Sequence, residues 1–467
     1  MASSGALNTS SFPIFNDGDV RLIIPPDNIY QLHSTVLKRS SGFFAGALTE
    51  SNAAKLHSKA KKFGVTVRFQ LHLVYSPANP NGVFEMMRLD GFGRSSGTNI
   101  GMSGVIESRV HEMAYKNWYN LLGAFYNRTP EINDTDMSSL VTSCMGLVEV
   151  AESIDAVGVI RESVDIALLR QGQVLFRSIA ANPSPWADLA IRIHSPTIFR
   201  ESVIHLVGKW NQMTDPERKM LSPGIRELCE RKWAEMQLQK QAIEIRILGY
   251  YPDMLRRRAT DNIHRASYAN DVYMWMALAF YRQWFSQAMS EGRHHIAPDG
   301  GAAFYRAIGA AGAAYLDIRA QASFQLHFPM SQKGTRIIQH HINTLKHDVR
   351  EFVADLLVHN SQIQITEGEE LAHLTCCVVK TEDLPWGVPV DPQAESATED
   401  VTDNDAEYEP EDYAVPDDFV HVGAPGPEEA GDEEGYGDDF KHDPLQSAEA
   451  LEDIGDLLEG ETVKAFL

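Results

Sequence analysis

Asp19-Val-Arg-Leu-Ile-Ile24, followed by Pro25-Pro-Asp-Asn28, decides how the first third of the chain is read. A β-branched apolar run stopped by two prolines and two turn formers is a short strand and a turn. Helical spacing comes next. Leu32, Val36 and Leu37 lie at i, i+4 and i+5, and Phe43, Phe44, Ala47 and Leu48 continue it, so two short helices should meet near Ser40-Ser41-Gly42. From Val65 to Tyr75 the residues Val65, Val67, Phe69, Leu71 and Leu73 alternate with Thr, Arg, Gln and His, the period of a half-buried strand. Between Ser76 and Ser108 the chain turns rich in Gly, Asn, Pro and Ser. That composition predicts a mobile loop, with a short strand at 83–87 inside it.

From about Val110 the pattern is helical. Trp118, Leu121, Leu122, Phe125 and Tyr126 form one stripe, Leu140, Val141, Cys144, Leu147, Val148, Ala151 and Ile154 a second, and Val159, Ile160, Val164, Ala167 and Leu168 a third. Asn182-Pro-Ser-Pro185 breaks the chain. Further helices are expected at about 186–212, 223–248, 269–290, 301–318 and 333–358, the second of them capped by Ser222 with Pro223 in its first turn. No internal repeat of fixed period is present, which argues against a solenoid.

The charge is concentrated at one end. Residues 391–467 carry 26 Asp or Glu against two Lys, a net of −24, whereas the whole chain is −23, so residues 1–390 are about neutral. Beyond Pro385 so little apolar surface is left that ordering the chain is not offset, and a disordered acidic tail is expected at 386–467. Within it Leu451, Ile454, Leu457 and Leu458 allow a short amphipathic helix at 447–459 on a partner. The opening residues lack a basic n-region and an apolar core, no run is long enough to span a membrane, and four cysteines without paired spacing suit a reducing compartment. An intracellular protein of the cytoplasm, the nucleus or both is expected.

The strand at Asp19-Val20, then His33 and Leu37, then Ser41, Phe43, Phe44, resembles the opening signature of BTB/POZ domains. A second segment, Trp118, Leu122 and Tyr126 ahead of Pro130, is similar to a later part of that family. The resemblance covers 16–170 and implies a protein-interaction fold: self-association, recruitment of a cullin-type ubiquitin ligase, or transcriptional regulation. Leu48-Thr-Glu50 has the letters of a ligase-recruiting triplet, while Ser34 stands where co-repressor-type members carry a base. The expected architecture is therefore an α+β BTB/POZ-like domain at 16–170 after a flexible 1–15, a mostly α-helical domain at 171–385, and the acidic tail.

Residue patterns that carry chemistry are sparse. Gly93-Arg-Ser95-Ser-Gly97 fits the letters of a nucleophile elbow, but Thr-Asn-Ile-Gly follows in place of a helix. His294-His295 and His340-His341 with His347 are the only histidine concentrations, and neighbouring helical histidines point about 100° apart, so solvated or locally bonded rings are expected rather than a metal site. The aromatic run Trp275, Phe280, Tyr281, Trp284, Phe285 reads as helical core, and Cys376-Cys377 as buried positions. Arg256-Arg-Arg258 and Lys59–Lys62 are short basic runs, and with so acidic a tail nucleic-acid binding is not expected. No phosphate-binding or dinucleotide motif is present, so no cofactor, metal or small-molecule ligand is expected. A non-enzymatic adaptor that binds proteins follows, with a hydrolase using Ser95 as the alternative.

Overall fold

The computed structural model describes residues 12–387 apart from 14, 26–27, 77, 96–107, 257–271 and 367. The expected flexible 1–15 and acidic tail fall largely, and the 447–459 helix wholly, outside the described residues.

Strand β1 (Val20–Ile24) forms because Val20, Leu22 and Ile24 are buried on one face. It pairs antiparallel with β2 (Asn28–Leu32), Val20 opposite Leu32 and Ile24 opposite Asn28. The sequence predicts no second strand here. Ile29 points outward at 59% exposure while Tyr30 and Leu32 are buried, so the apolar letters hide the alternation.

Helices α1 (Ser34–Arg39) and α2 (Gly42–Ala47) meet at Ser40-Ser41, as the spacing predicts. Asp19 caps α1 from outside it, accepting from the Ser34 backbone N–H and hydroxyl, both at 2.7 Å. Ser41 caps α2 by accepting from the Phe44 N–H and donates to the Ile154 carbonyl at 2.6 Å. Gly42 fits this docking point closely: a Cβ there would lie 2.2 Å from the Asp155 carboxylate.

After α3 (Ser58–Lys62), strand β3 (Phe69–Ser76) lies parallel to β1 and antiparallel to β4 (Asn79–Met87), giving the sheet order β2-β1-β3-β4. The parallel pair is reached through the helical crossover between them. β3 begins four residues later than the alternation suggests, and Gln70 is buried as well, within 2.8 Å of the His72 ring on the second face. The short strand expected at 83–87 is the second half of β4, which begins earlier, at Asn79, in residues expected to be loop. It is an edge strand, where Pro80 and Gly82 are tolerated because one side needs no ladder bonds.

Helices cover most of the rest: α4 (Ser108–Ala124), α5 (Met137–Ser153), α6 (Val157–Leu169), α7 (Gln173–Ala181), α8 (Pro183–Ile193), α9 (Pro196–Gly208), α10 (Asp215–Met220), α11 (Pro223–Gly249), α12 (Tyr273–Glu291), α13 (Arg293–Ile296), α14 (Ala302–Ala310), α15 (Ile318–His327) and α16 (Gln332–Arg350). A 3-10 stretch, Glu351–Leu357, extends α16.

The single helix expected at 186–212 is two, because His194 turns left-handed at φ 54° and Ser195-Pro196 starts a new helix. That expected at 301–318 stops at Ala310, where Ala311 and Gly312 take positive φ. Pro223 does open α11, but the Ser222 side chain makes no cap bond. A single buried cluster runs from Phe12 to Leu384, joining the sheet to the helices through α4 and α5.

Candidate functional site

The residues singled out in the first third come together, but mostly as packing. Val20, Leu37, Phe44, Leu48, Trp118 and Leu122 are all 0% exposed, so they are closed to any partner. Beside them the His33 backbone N–H donates to the Tyr126 hydroxyl at 2.9 Å, and its ring stands 3.2 Å from Tyr126 on one side and from Asp17 on the other. Phe43 is half-buried against Phe44, and Glu50 is exposed in an ion pair with Arg68. The Leu48-Thr-Glu50 letters thus divide between core and a surface pair.

Ser95 is exposed and bridges to Leu89 after a turn in which Asp90 accepts from the Phe92 and Arg94 backbone N–H groups. Among the described residues no hydrogen bond joins it to a histidine or a carboxylate, the contact by which a serine nucleophile is activated.

Two buried polar clusters in the helical part were not visible beforehand. In the first, Glu201 and His205 lie one turn apart on α9. Glu201 accepts from the Ser361 hydroxyl at 2.5 Å and the Gln362 N–H at 2.9 Å, with the His205 Nε2 at 3.0 Å. The other His205 nitrogen stands 2.9 Å from His373 Nε2. Glu201, His205, Ser361 and His373 are each at most 7% exposed. Although serine, histidine and acid are all present, Ser361 gives its proton to the carboxylate and is sealed from substrate. The cluster staples the extended segment around 359–380 onto α9.

The proton placement is forced from one end. Burial works to raise Glu201, but the bonds from His205, Ser361 and Gln362 outweigh it and hold the carboxylate below its ordinary range. If His205 Nε2–H donates to Glu201, its Nδ1 must accept from His373 Nε2–H, which leaves His373 Nδ1 buried without a partner. Protonating that atom would bury an unpaired cation. Burial, aided by the nearby His205, Lys209 and Arg306, accordingly pushes the His373 ring down to about 3. Between pH 6.5 and 3 the unfolded chain takes up this proton and the folded one does not, so the stabilisation is full above 6.5 and is lost as the pH falls. We expect about 3 kcal/mol of loss by pH 4 from this group. Urea midpoints across that range should fall less steeply in His373→Gln than in the wild type; parallel curves would refute the assignment.

In the second cluster, Glu244 of α11 meets His294 Nε2 at 3.1 Å, His295 Nε2 at 3.2 Å and the Tyr305 hydroxyl at 2.5 Å. His294 is 7% exposed and stacks on Phe304 at 4.4 Å, so of the two expected states, solvated or locally bonded, it takes the bonded one. Lys240, fully buried one turn earlier, donates to the Gly300 carbonyl at 2.6 Å. A second buried lysine, Lys346, donates to the carbonyls of Gly312, Tyr315 and Leu316, closing the left-handed turn after α14. His347 is exposed and His341 buried, so that histidine group does not converge. Tyr281 and Phe285 are core, as the aromatic run predicts, whereas Trp275 is 49% exposed. Cys377 is buried and Cys376 half-buried, and all four cysteines are free thiols.

No curated protein and no solved structure matches the chain. Residues 252–355 match the family model of the FF domain, a protein-interaction module, over the segment that contains α12–α16. That finding overturns the BTB/POZ resemblance: the matched family is a different one and lies in the helical half. The signature residues are the apolar core positions of a small sheet packed on helices, a demand many folds share. Over 252–355, therefore, the chain is similar to the FF domain.

Proposed function

We propose that this chain is a non-enzymatic adaptor that works inside the cell, in the cytoplasm, the nucleus or both, by binding another protein through its helical half. The observation that carries this reading is the FF-domain match at 252–355. The surface of that segment supports it. Trp275 stands 5.8 Å from Tyr251, the Arg282 guanidinium lies 4.1 Å above the Tyr251 ring, and Leu326 and Phe328 are 75% and 53% exposed. Trp, Tyr and Arg are the residues that most often dominate protein interfaces. No described helix is long and apolar enough to cross a membrane. The cullin-scaffold and ubiquitin-ligase roles rested on the BTB/POZ resemblance and fall with it.

The test is capture with the full chain followed by reconstitution of the recurrent partner from purified components. Trp275→Ala should bind that partner at least about tenfold more weakly with an unchanged unfolding midpoint. Equal affinity would reject this surface, and an ester or amide hydrolase activity abolished by Ser95→Ala would replace the adaptor reading with the enzyme.

A further inference from the structure

Two histidines from α13 and one carboxylate from α11, 50 residues apart in sequence, aim at a single point. The His294 and His295 Nε2 atoms stand 3.1 and 3.2 Å from the same Glu244 oxygen, and all three donor atoms lie within 4.8 Å of one another. Ligands held about 2.0–2.1 Å from a tetrahedral centre are about 3.3–3.4 Å apart. The two nitrogen–oxygen separations are therefore already close to two edges of a coordination tetrahedron.

A second observation points the same way. The Tyr305 hydroxyl also donates to that Glu244 oxygen, at 2.5 Å. If both imidazoles carried Nε2–H, three donors would share an oxygen with two lone pairs. A cation between the three ligands removes the conflict, because each imidazole then offers a lone pair and Tyr305 alone hydrogen-bonds the carboxylate.

We propose that Glu244, His294 and His295 form a binding site for a divalent cation of the zinc class, with Tyr305 orienting the carboxylate. One carboxylate oxygen and two imidazole lone pairs are the donors that such a metal takes. Two of the three donors are imidazole nitrogens, which disfavours calcium and magnesium, ions that take oxygen ligands, and favours an ion that binds imidazole strongly. The His295 side chain is 31% exposed while those of His294 and Glu244 are 6% and 9%, so the fourth position faces water. Bound there, the ion clamps α13 to α11 at the start of the segment that continues into α14.

The experiment uses the full chain, stripped with a chelator and dialysed, with Co²⁺ and Zn²⁺ as probes. One equivalent of Co²⁺ should give intense visible bands of tetrahedral coordination, be displaced by one equivalent of Zn²⁺, and Zn²⁺ should raise the unfolding midpoint. His295→Ala, at a partly exposed position the fold tolerates, should weaken binding at least about tenfold and abolish the midpoint shift. His347→Ala should change neither. Absence of the bands in the wild type overturns the site. So does an identical titration of wild type and His295→Ala, which would place the cation elsewhere, such as among the carboxylates of 391–467. Tyr305→Phe provides a second measurement, since it keeps all three ligands: weakened binding with retained bands supports its orienting role, and loss of the bands without loss of fold refutes it.

Discussion

Glu201→Ala is expected to destabilise the protein by about 3–5 kcal/mol, the cost of breaking a buried charged network by removing one partner. Glu201 is 1% exposed and holds His205, Ser361 and the Gln362 N–H together. Its removal leaves the buried Ser361 hydroxyl and His205 imidazole without their acceptor, each costing about 1–3 kcal/mol, and releases the Gln362 N–H at the edge of the cluster. The damage should be local first. The segment around 359–380 has no strand or long helix of its own and is fastened to α9 largely through this cluster, with His359 and Asn360 tied to Thr375 and Cys376 across its own fold. Urea unfolding should show the lowered midpoint, and limited proteolysis should show new cleavage within 359–380 before the rest of the chain is cut. A midpoint unchanged from wild type, with the segment still protected, would mean that the segment is held by its other ties, such as Arg177 to Glu369 and Gln173 to Gln362 and Gln364, and not by the Glu201 cluster.

Trp118→Ala should cost a similar amount, about 3–5 kcal/mol, through the cavity left in the core of the N-terminal sheet. Trp118 is 0% exposed, meets Phe84 edge-on at 4.8 Å, and donates its indole N–H to the Asn81 carbonyl at 2.7 Å. It therefore fastens α4 to β4, the edge strand that carries Pro80 and Gly82 and is paired on one side only. Trp118→Phe separates the two contributions. It keeps most of the ring but leaves the Asn81 carbonyl unpaired, for an expected loss of about 1–2 kcal/mol. Equal losses for the two variants in chemical denaturation would show that the hydrogen bond, not the packed volume, dominates.

The division of labour in the molecule bears on its proposed role. The N-terminal sheet spends its conspicuous residues on its own core, whereas the FF-like segment leaves Trp275, Leu326 and Phe328 outside. Substitutions at 20, 37, 44, 48, 118 or 122 should thus act on binding only through folding, while Trp275→Ala should act on binding directly. The cation site would serve the same surface by fixing α13 beside α11 and α12.

By itself the sequence determined those elements whose burial is one-sided. β1, the paired helices α1 and α2, and the stripes of α4, α5 and α11 each alternate or repeat with one apolar face, and that period is a local property of the chain. It also determined that the negative charge lies in 391–467. Where residues of one element serve two masters, local reading failed. Ile29 is apolar yet outward, so β2 was missed, and of the edge strand β4 only 83–87 reads as a strand, because Asn79 to Gly82 look like a loop until β3 is laid beside them. A match of letters also proved a poor guide to family, because Val20, Leu37, Phe44 and Trp118 report burial, which unrelated folds require equally. The polar clusters were beyond local reading altogether. Ser361 lies 160 residues from Glu201, and His294 lies 50 from Glu244. A histidine or glutamate in one helix carries no sign of the partner that will meet it; only the tertiary fold, by burying both and leaving each no other acceptor or donor, decides that they act together.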